Sequence, residues 1–541
     1  MSLRSASPHS RWTYLLPHLV EQAAEWDATH DAIRHRQDCL TYGQLFSRSS
    51  QLAHALIADG VKPGERIGIL LRKGLDSAVA LYGIMSAGAV YVPIDPTAPA
   101  SRIAFLVRDC GITRLVTSDA MVAALEGLEN EGVSLVTVYG VSDNAASPYP
   151  SVAWEDMTGF PEALPNLSTT EQDLCYILYT SGSTGTPKGI MHTHRSALSW
   201  AEITASVYRL GPEDVISNYA PLHFDLSTLD YFGGARAGAT TVIIPEEYTR
   251  FPASLAKLIA SEQMTVFYTV PFALVQLAAP GILDDLELDQ LRLVLFGGEP
   301  MPVKHLREVM EKVPRAQFVN VYGPTETNGC THYPIDRSLL GTTTSLPIGR
   351  PYPNVEILVL DDEGRSVGVG DSGELLVRTP TLMRGYWGGR DLNEGAFHMV
   401  TERGGLAEVY HRTGDLVSPM RDGNLRFLGR MDRQIKSRGN RVELDEVEAI
   451  LLANPDVHEA AVYAVPDDAG ILEIHAEAIL TATSAVEEKD LLHHLRSALP
   501  AYAVPVAITM RTSFPRTSTG KIDRIAMQAE PNATMTAGGR R

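Results

Sequence analysis

Residues 179–189 read YTSGSTGTPKG, which sets Thr180, Ser181, Ser183, Thr184 and Thr186 around Gly182, Gly185 and Gly189 and places Lys188 at the far shoulder. Backbone N–H groups turned into one concavity bind anions, and glycine lets the chain approach a ligand closely. Hydroxyls add donors and the ammonium adds charge, so the chemistry indicated is phosphate binding. The order is neither G-x-x-x-x-G-K-S/T nor G-x-G-x-x-G, so the nucleoside-triphosphatase and dinucleotide fingerprints both fail. A flexible Ser/Gly linker is the competing reading of the same composition. His192 and His194 follow at once, without a carboxylate or cysteine at ligand spacing, and read as structural or phosphate-proximal. Cys39, Cys110, Cys175 and Cys330 contain no C-x-x-C pair, which argues against a disulfide framework and a thiolate zinc site.

Something must hold such a loop, and the surrounding sequence has the rhythm of a layered α/β protein. The segment LVEQAAEWDATHDAIRH predicts an amphipathic opening helix from Leu19, Ala23 and Trp26. Next come a helix closed by Gly60, the strand RIGILL, the helix LDSAVALYGIMSAGA and the strand RLVTS; TTVII, TVFYTV, RLVLFGG and QFVNVYG then read as buried strands whose ends carry loops. From about Ile348 the texture becomes VEILVLDDEGRSV, GELLVRT and GNLRFLGR, antiparallel strands with tight turns. Beyond GRMDRQIKSRGNRVE the strand–helix pattern fits a small α+β domain, and the tail EPNATMTAGGRR reads as frayed. The expected class is thus α/β: a large N-terminal domain of layered α/β subdomains with a β-rich subdomain, residues 1–431, and a small mobile α+β domain, residues 432–541.

Bulk properties narrow the function. At 541 residues more than one core is expected. With 44% hydrophobic and 21% charged residues the composition is that of a globular protein, and a net charge of −19 argues against a nucleic-acid surface. No apolar run is long enough to cross a bilayer and no cleavable leader is evident, so a cytoplasmic protein is expected.

The loop resembles the signature of the adenylate-forming superfamily, which comprises acyl-CoA synthetases, luciferases and the adenylation enzymes of nonribosomal peptide synthesis. Further blocks of that family follow in order: HFDLSTLDYF, NVYGPTETN, GELLVRTPTLMRGYW, YHRTGDL, GRMDRQIKSRGNRVE and PRTSTGKID. The resemblance implies two half-reactions. A carboxylate attacks the α-phosphate of ATP and expels pyrophosphate; the acyl-adenylate then passes its acyl group to a thiol. It also implies roles. Thr180, Ser181, Gly182, Ser183, Thr184, Gly185 and Lys188 would cover the β- and γ-phosphates, Thr325 would lie at the α-phosphate, and Glu326 would hold Mg²⁺. Tyr322 would stack on adenine, with Asn320 at its polar edge and Gly323 beside it. Asp415 would accept from both ribose hydroxyls, near Arg430. Lys521 would be the catalytic lysine of adenylation. Asp432 would be the hinge, bringing Lys436 and Gly439 to the site for thiolation.

In the amino-acid-activating branch the Asp of an FD block anchors the substrate ammonium, and Asp225 occupies that place; Asp230 is a second candidate. A buried Asp is costly unless paired with a cation, which favours an amino acid over a fatty or aryl acid. Carried over by motif position, the remaining pocket is Leu226, Leu229, Thr269, Leu295, Gly297, Val321, Gly329 and Cys330, an apolar lining with two glycines leaving space. An apolar α- or β-amino acid fits. Only residues 522–541 follow Lys521, and no G-G-x-S phosphopantetheine site is present. The resemblance is therefore to a stand-alone amino acid–carrier protein ligase of natural-product biosynthesis, loading a separate carrier protein. The departure is in HFDLSTLDYF, which lacks the aromatic usual after FD-x-S and leaves the substrate open. The alternatives are an acyl-CoA ligase using free coenzyme A and a nonenzymatic nucleotide sensor; the sensor would need Lys521, Glu326 or the loop degraded, and all are present.

Overall fold

Short β-branched and aromatic runs, buried on both faces, form the strands of two large sheets. The computed structural model describes residues 12–529 apart from 182–185, 342–344, 402–404, 406, 482, 483, 485, 517–521 and 523. The described residues divide into two compact units. One takes in residues up to Pro96, Ile103–Thr180 and Lys188–Met431; the other takes in Thr97–Arg102, the described part of Ser181–Pro187, and the chain from Asp432 on.

In the first unit, one sheet runs in the order Gly385–Tyr386, Lys188–Thr193, Leu174–Thr180, Val90–Pro93, Arg66–Ile69, Arg114–Val116, Thr137–Tyr139 and Ser151–Val152. Its interior is parallel, and Lys188–Thr193 adds antiparallel to Leu174–Thr180. The other large sheet includes Gln317–Tyr322, Leu293–Gly297, Val266–Thr269, Val215–Asn218, Thr240–Ile243 and Asp31–His35 as neighbours in that order. Val266–Thr269 and Thr240–Ile243 are buried at every position, as parallel strands covered on both faces must be. In such open sheets ligands bind beyond the carboxyl ends of the strands. Thr180, Asn218, Thr269, Gly297 and Tyr322 stand at those ends.

A third, antiparallel sheet is built on the long strand Ala407–Pro419, flanked by Gly373–Arg378, Phe397–Thr401 and Leu425–Arg430. Its register sets Arg430 directly opposite Asp415. In the second unit the hairpin Gln434–Ser437/Asn440–Glu443 turns through Arg438 and Gly439, both at positive φ (52° and 84°), the pairing a two-residue type I′ turn requires. The strands Val457–Pro466, Leu472–Leu480 and Ala507–Met510 form its sheet. Helices Leu444–Leu452 and Glu488–Arg496 contribute Val447, Leu451, Leu491 and Leu495 to one core with Val462 and Ile474.

Local chemistry explains the boundaries. Helix Tyr42–Ala58 opens with a reciprocal cap in which Thr41 Oγ1 accepts from Gln44 N–H at 3.2 Å and Gln44 Oε1 accepts from Thr41 N–H at 3.0 Å. The opening helix is shorter than its periodicity predicts. It spans Pro17–Asp27, and Asp31–His35 is a strand instead. The Asp27 carboxylate accepts from Thr29 N–H at 2.9 Å, turning the chain, and Ile33 then pairs with Thr241 of a parallel strand. The frayed-tail expectation concerns residues outside those described.

Candidate active site

The flanks of the glycine-rich loop are fixed by strand pairing, with Thr180 opposite Lys188. Gly182, Ser183, Thr184 and Gly185 lie outside the described residues, Ser181 is buried, and the Thr180 hydroxyl is buried with no hydrogen-bond partner among the described residues. Lys188 Nζ lies 3.6 Å from Glu326 Oε1 and 3.4 Å from the Tyr386 hydroxyl, and 4.8 Å from the centre of the Tyr386 ring. Tyr386 in turn donates to Glu326 Oε1 at 2.8 Å. The Glu326 side chain is 2% exposed, so this carboxylate is held in a dry site by a cation and a phenol together. The sequence motifs alone do not single out Tyr386. It sits in the MRGYW end of a recognised block, and pairing with Ile190 on the edge strand aims it at Glu326.

The loop bearing Thr325 and Glu326 is pinned from behind. His192 Nε2 donates to the Thr325 carbonyl at 3.0 Å and Met383 N–H to the Glu326 carbonyl at 2.8 Å. His192 is fully buried, and burial pulls its imidazole down to about 4, so it is neutral at neutral pH.

Elsewhere in the same unit, Tyr322 donates to Asp415 Oδ2 while Arg430 Nη1 donates to Asp415 Oδ1 at 2.8 Å and to the Thr413 carbonyl at 2.8 Å. Asp415 is buried, and both its oxygens are oriented by these donors. Burial, with the charge of Asp415 added, keeps the Tyr322 phenol well above its ordinary value, so it remains a donor. Asn320, two residues before Tyr322 on the same strand, gives its amide to the Pro347 carbonyl at 2.9 Å. Sequence-distant residues thus converge on one carboxylate.

Of the residues carried over for the substrate pocket, Leu226, Leu229, Leu295 and Val321 share one apolar cluster with Trp200, Tyr268 and Tyr352. Cys330 does not join it. Its side chain packs instead with Ile348, Leu375 and Val417, toward the antiparallel sheet. Asp225 is partly exposed at a turn whose carbonyl accepts from Thr228 N–H at 3.0 Å. Burial pushes up the phenols of Tyr176 and Tyr268, and the charge of Asp225 adds to the shift of both. The Thr269 hydroxyl is buried without a partner among the described residues. The two glycines do not leave the space expected of them. A Cβ at Gly297 would lie 2.3 Å from the Val321 carbonyl oxygen, and one at Gly329 would lie 2.2 Å from Trp200 Cη2. Both glycines admit a neighbour rather than a void.

Asp230 sits at 1% exposure within a π-helical turn, Leu229–Gly233, and accepts from Asn218 Nδ2 at 3.0 Å. Its Oδ1 and the Asn218 Oδ1 are buried without donors among the described residues, and burial holds the carboxyl well above its ordinary range. Lys73 Nζ donates to the Asn218 and Tyr219 carbonyls at 2.9 and 2.7 Å. In the second unit, exposed Asp432 accepts from Gln434 N–H at 3.1 Å, Lys436 pairs across the hairpin with Arg441, and Gly439 forms its turn. Lys521 lies outside the described residues.

The profile of the AMP-binding enzyme family matches residues 19–387, and that of the AMP-binding enzyme C-terminal domain matches residues 446–521. The chain belongs to the AMP-binding enzyme family. Among its relatives, the L-proline–L-prolyl-carrier protein ligase of Pseudomonas fluorescens is 35% identical over 92% of this chain and 95% of its own length. Tyrocidine synthase 2 of Brevibacillus parabrevis is 33% identical, over 95% of this chain but only 14% of that much longer protein. Among solved structures, the amide bond synthetase McbA from Marinactinospora thermotolerans superposes with a TM-score of 0.83 at 26% identity, covering 95% of this chain and 99% of McbA. The Tyr322–Asp415–Arg430 group and the Lys188–Glu326–Tyr386 group are two polar clusters of this AMP-binding enzyme. Among the described residues no helix is long and apolar enough to cross a membrane.

Proposed function

We propose that the chain is an ATP-dependent amino acid–carrier protein ligase. It joins the carboxylate of an apolar amino acid to AMP and then delivers the aminoacyl group to the phosphopantetheine thiol of a separate carrier protein. The observation that carries the reading is a partly exposed carboxylate, Asp225, directly before Leu226 of an otherwise apolar cluster, in the same unit as two phosphate- and ribose-suited clusters. The full-length likeness to a prolyl-carrier protein ligase supports the acceptor.

In the first half-reaction the substrate carboxylate oxygen bonds to the α-phosphorus and the bond to the bridging oxygen of pyrophosphate breaks. Asp415, already oriented by Tyr322 and Arg430, accepts from the ribose hydroxyls and fixes the nucleotide. Lys188 offsets charge on the departing phosphates, and Thr325 lines the α-phosphate. Glu326 is a buried carboxylate, a hard oxygen donor of the kind that fits Mg²⁺, an ion that takes one or two carboxylates beside phosphate oxygens. Glu326 would hold it, and when bound the ion supplies positive charge to the phosphates. Lys521 stabilises charge that appears as the new bond forms. In the second half-reaction the thiol sulfur attacks the acyl carbon and AMP leaves. We assign residues 1–431 to the large domain and 432–541 to a small domain turning about Asp432 to bring Lys436 and Gly439 into use.

The test is substrate-dependent ATP–pyrophosphate exchange across free L-, D- and β-amino acids, with fatty and aryl acids alongside and coenzyme A as a competing acceptor. An apolar amino acid should drive exchange, Asp225→Ala should raise its KM steeply, and Lys521→Ala should abolish exchange yet spare thioester formation from supplied adenylate. Exchange with amine-free acids alone overturns the reading. A second anchor has its own support. The paired buried acceptors of Asp230 and Asn218 are suited to an ammonium, which would restore the charge of Asp230. If Asp230→Asn raises the amino acid KM and Asp225→Ala does not, Asp230 is the anchor.

A further inference from the structure

We infer that Trp200 is the wall that limits the length of the substrate side chain, so that the enzyme activates amino acids with short side chains. The inference rests on the amino acid adenylation reading above and adds a residue outside the pocket positions named from the sequence. Trp200 lies on helix His194–Val207 and is 2% exposed. A Cβ built on Gly329 would meet its indole at 2.2 Å from Cη2, 2.7 Å from Cζ3 and 3.2 Å from Cζ2. The six-membered edge of the ring therefore occupies the volume that a side chain at position 329 would otherwise take. The indole is braced there. It packs edge-on against Tyr352 with centroids 5.6 Å apart, and Tyr352 N–H is bonded to the carbonyl of Cys330, next to Gly329, at 3.0 Å.

Trp200 also shares its apolar cluster with Leu229, Leu295 and Val321, three of the positions carried over for the substrate pocket. Nor does Gly297 offer a second exit, because the Val321 carbonyl oxygen stands 2.3 Å from where its Cβ would be. Pocket depth is thus set by one large, rigid, braced side chain. Interiors are close-packed, and a pocket that must accept even one extra methylene discriminates by about 10-fold or more.

The experiment is ATP–pyrophosphate exchange by the full chain over two straight series. One is alanine, 2-aminobutyrate, norvaline and norleucine as L and D forms; the other is β-alanine, 3-aminobutyrate and 3-aminohexanoate. Wild type should show kcat/KM falling with length. Trp200→Leu should raise the ratio of kcat/KM for the longest over the shortest member by at least about 10-fold, with the KM for ATP unchanged. Trp200→Phe, which keeps an aromatic packing partner, should shift the ratio in the same direction by less. A purely structural tryptophan would lower activity on all substrates alike and leave the ratio where it was. That result, or a wild type that prefers norleucine, overturns the inference. If wild type exchanges only with acids lacking an amine, the amino acid reading falls, and the same length test on propionate through hexanoate decides the role of Trp200.

Discussion

Tyr386→Phe isolates one atom of the phosphate end. The hydroxyl donates to Glu326 Oε1 at 2.8 Å and stands 3.4 Å from Lys188 Nζ, while the ring lies 4.8 Å from that ammonium and survives the substitution. A hydrogen bond to a charged acceptor contributes about 1.5–3 kcal/mol. Retention of the ring and of Lys188 places the loss at the lower end, about 1.5 kcal/mol, and every 1.4 kcal/mol is about tenfold in an equilibrium constant. If Glu326 is the protein ligand of Mg²⁺, its orientation is what the hydroxyl secures, so the Mg²⁺ concentration for half-maximal exchange should rise about tenfold at saturating ATP and amino acid. The KM for the amino acid should hardly move, because Asp225 and the apolar cluster are untouched. Titrating Mg²⁺ in the pyrophosphate exchange assay for wild type and variant reads this directly. An unchanged Mg²⁺ dependence, or an equal loss at every Mg²⁺ concentration with a raised amino acid KM, refutes the assignment of Tyr386 as the residue that positions Glu326.

Asp415→Ala should raise the KM for ATP by about 10- to 100-fold, since it removes a buried acceptor of charge-assisted bonds and leaves Arg430 without it; an unchanged KM removes Asp415 from the ribose. Gly297→Ala should lower stability by about 1–3 kcal/mol in urea titration, because its Cβ would lie 2.3 Å from the backbone carbonyl of Val321, and an unchanged midpoint contradicts that strand spacing. Stability should fall with acid through two of the buried histidines. His192 and His194 are pulled down to about 4 and about 3 by burial. The unfolded chain, with imidazoles near 6.5, takes up protons that the folded chain refuses, so the stabilisation is complete above about pH 6.5 and is lost as pH falls toward the folded values. For His192 the loss between pH 7 and pH 5 is about 2 kcal/mol, measurable as a shift in urea midpoint that His192→Gln should remove.

Much of this architecture is written locally. TVFYTV and RLVLFGG are legible as strands because a parallel strand covered on both faces needs apolar residues at every position, and those around Val266–Thr269 and Leu293–Gly297 satisfy that in isolation. Asp31–His35 is not legible in the same way. Its helical periodicity is continuous with that of Pro17–Asp27, and what makes it a strand is pairing with Thr241, more than two hundred residues away. The site divides along the same line. Asp415 and Tyr322 are visible because each stands inside a recognised motif; Tyr386 is not singled out, because its relation to Glu326 exists only once an edge strand of two residues has paired with Ile190. The glycines are the sharpest case. In a sequence a glycine says that no side chain is present, but not whether the vacated volume is open to a ligand or taken by a neighbour. At position 329 the answer belongs to Trp200, on a helix more than a hundred residues earlier, where its own pattern identifies it only as a buried face. A pocket read from loop positions alone therefore overestimates its depth wherever a helix behind the loop supplies the missing bulk. Residues 200 and 329 of this enzyme should accordingly vary together, since enlarging one without reducing the other places two groups in a single volume.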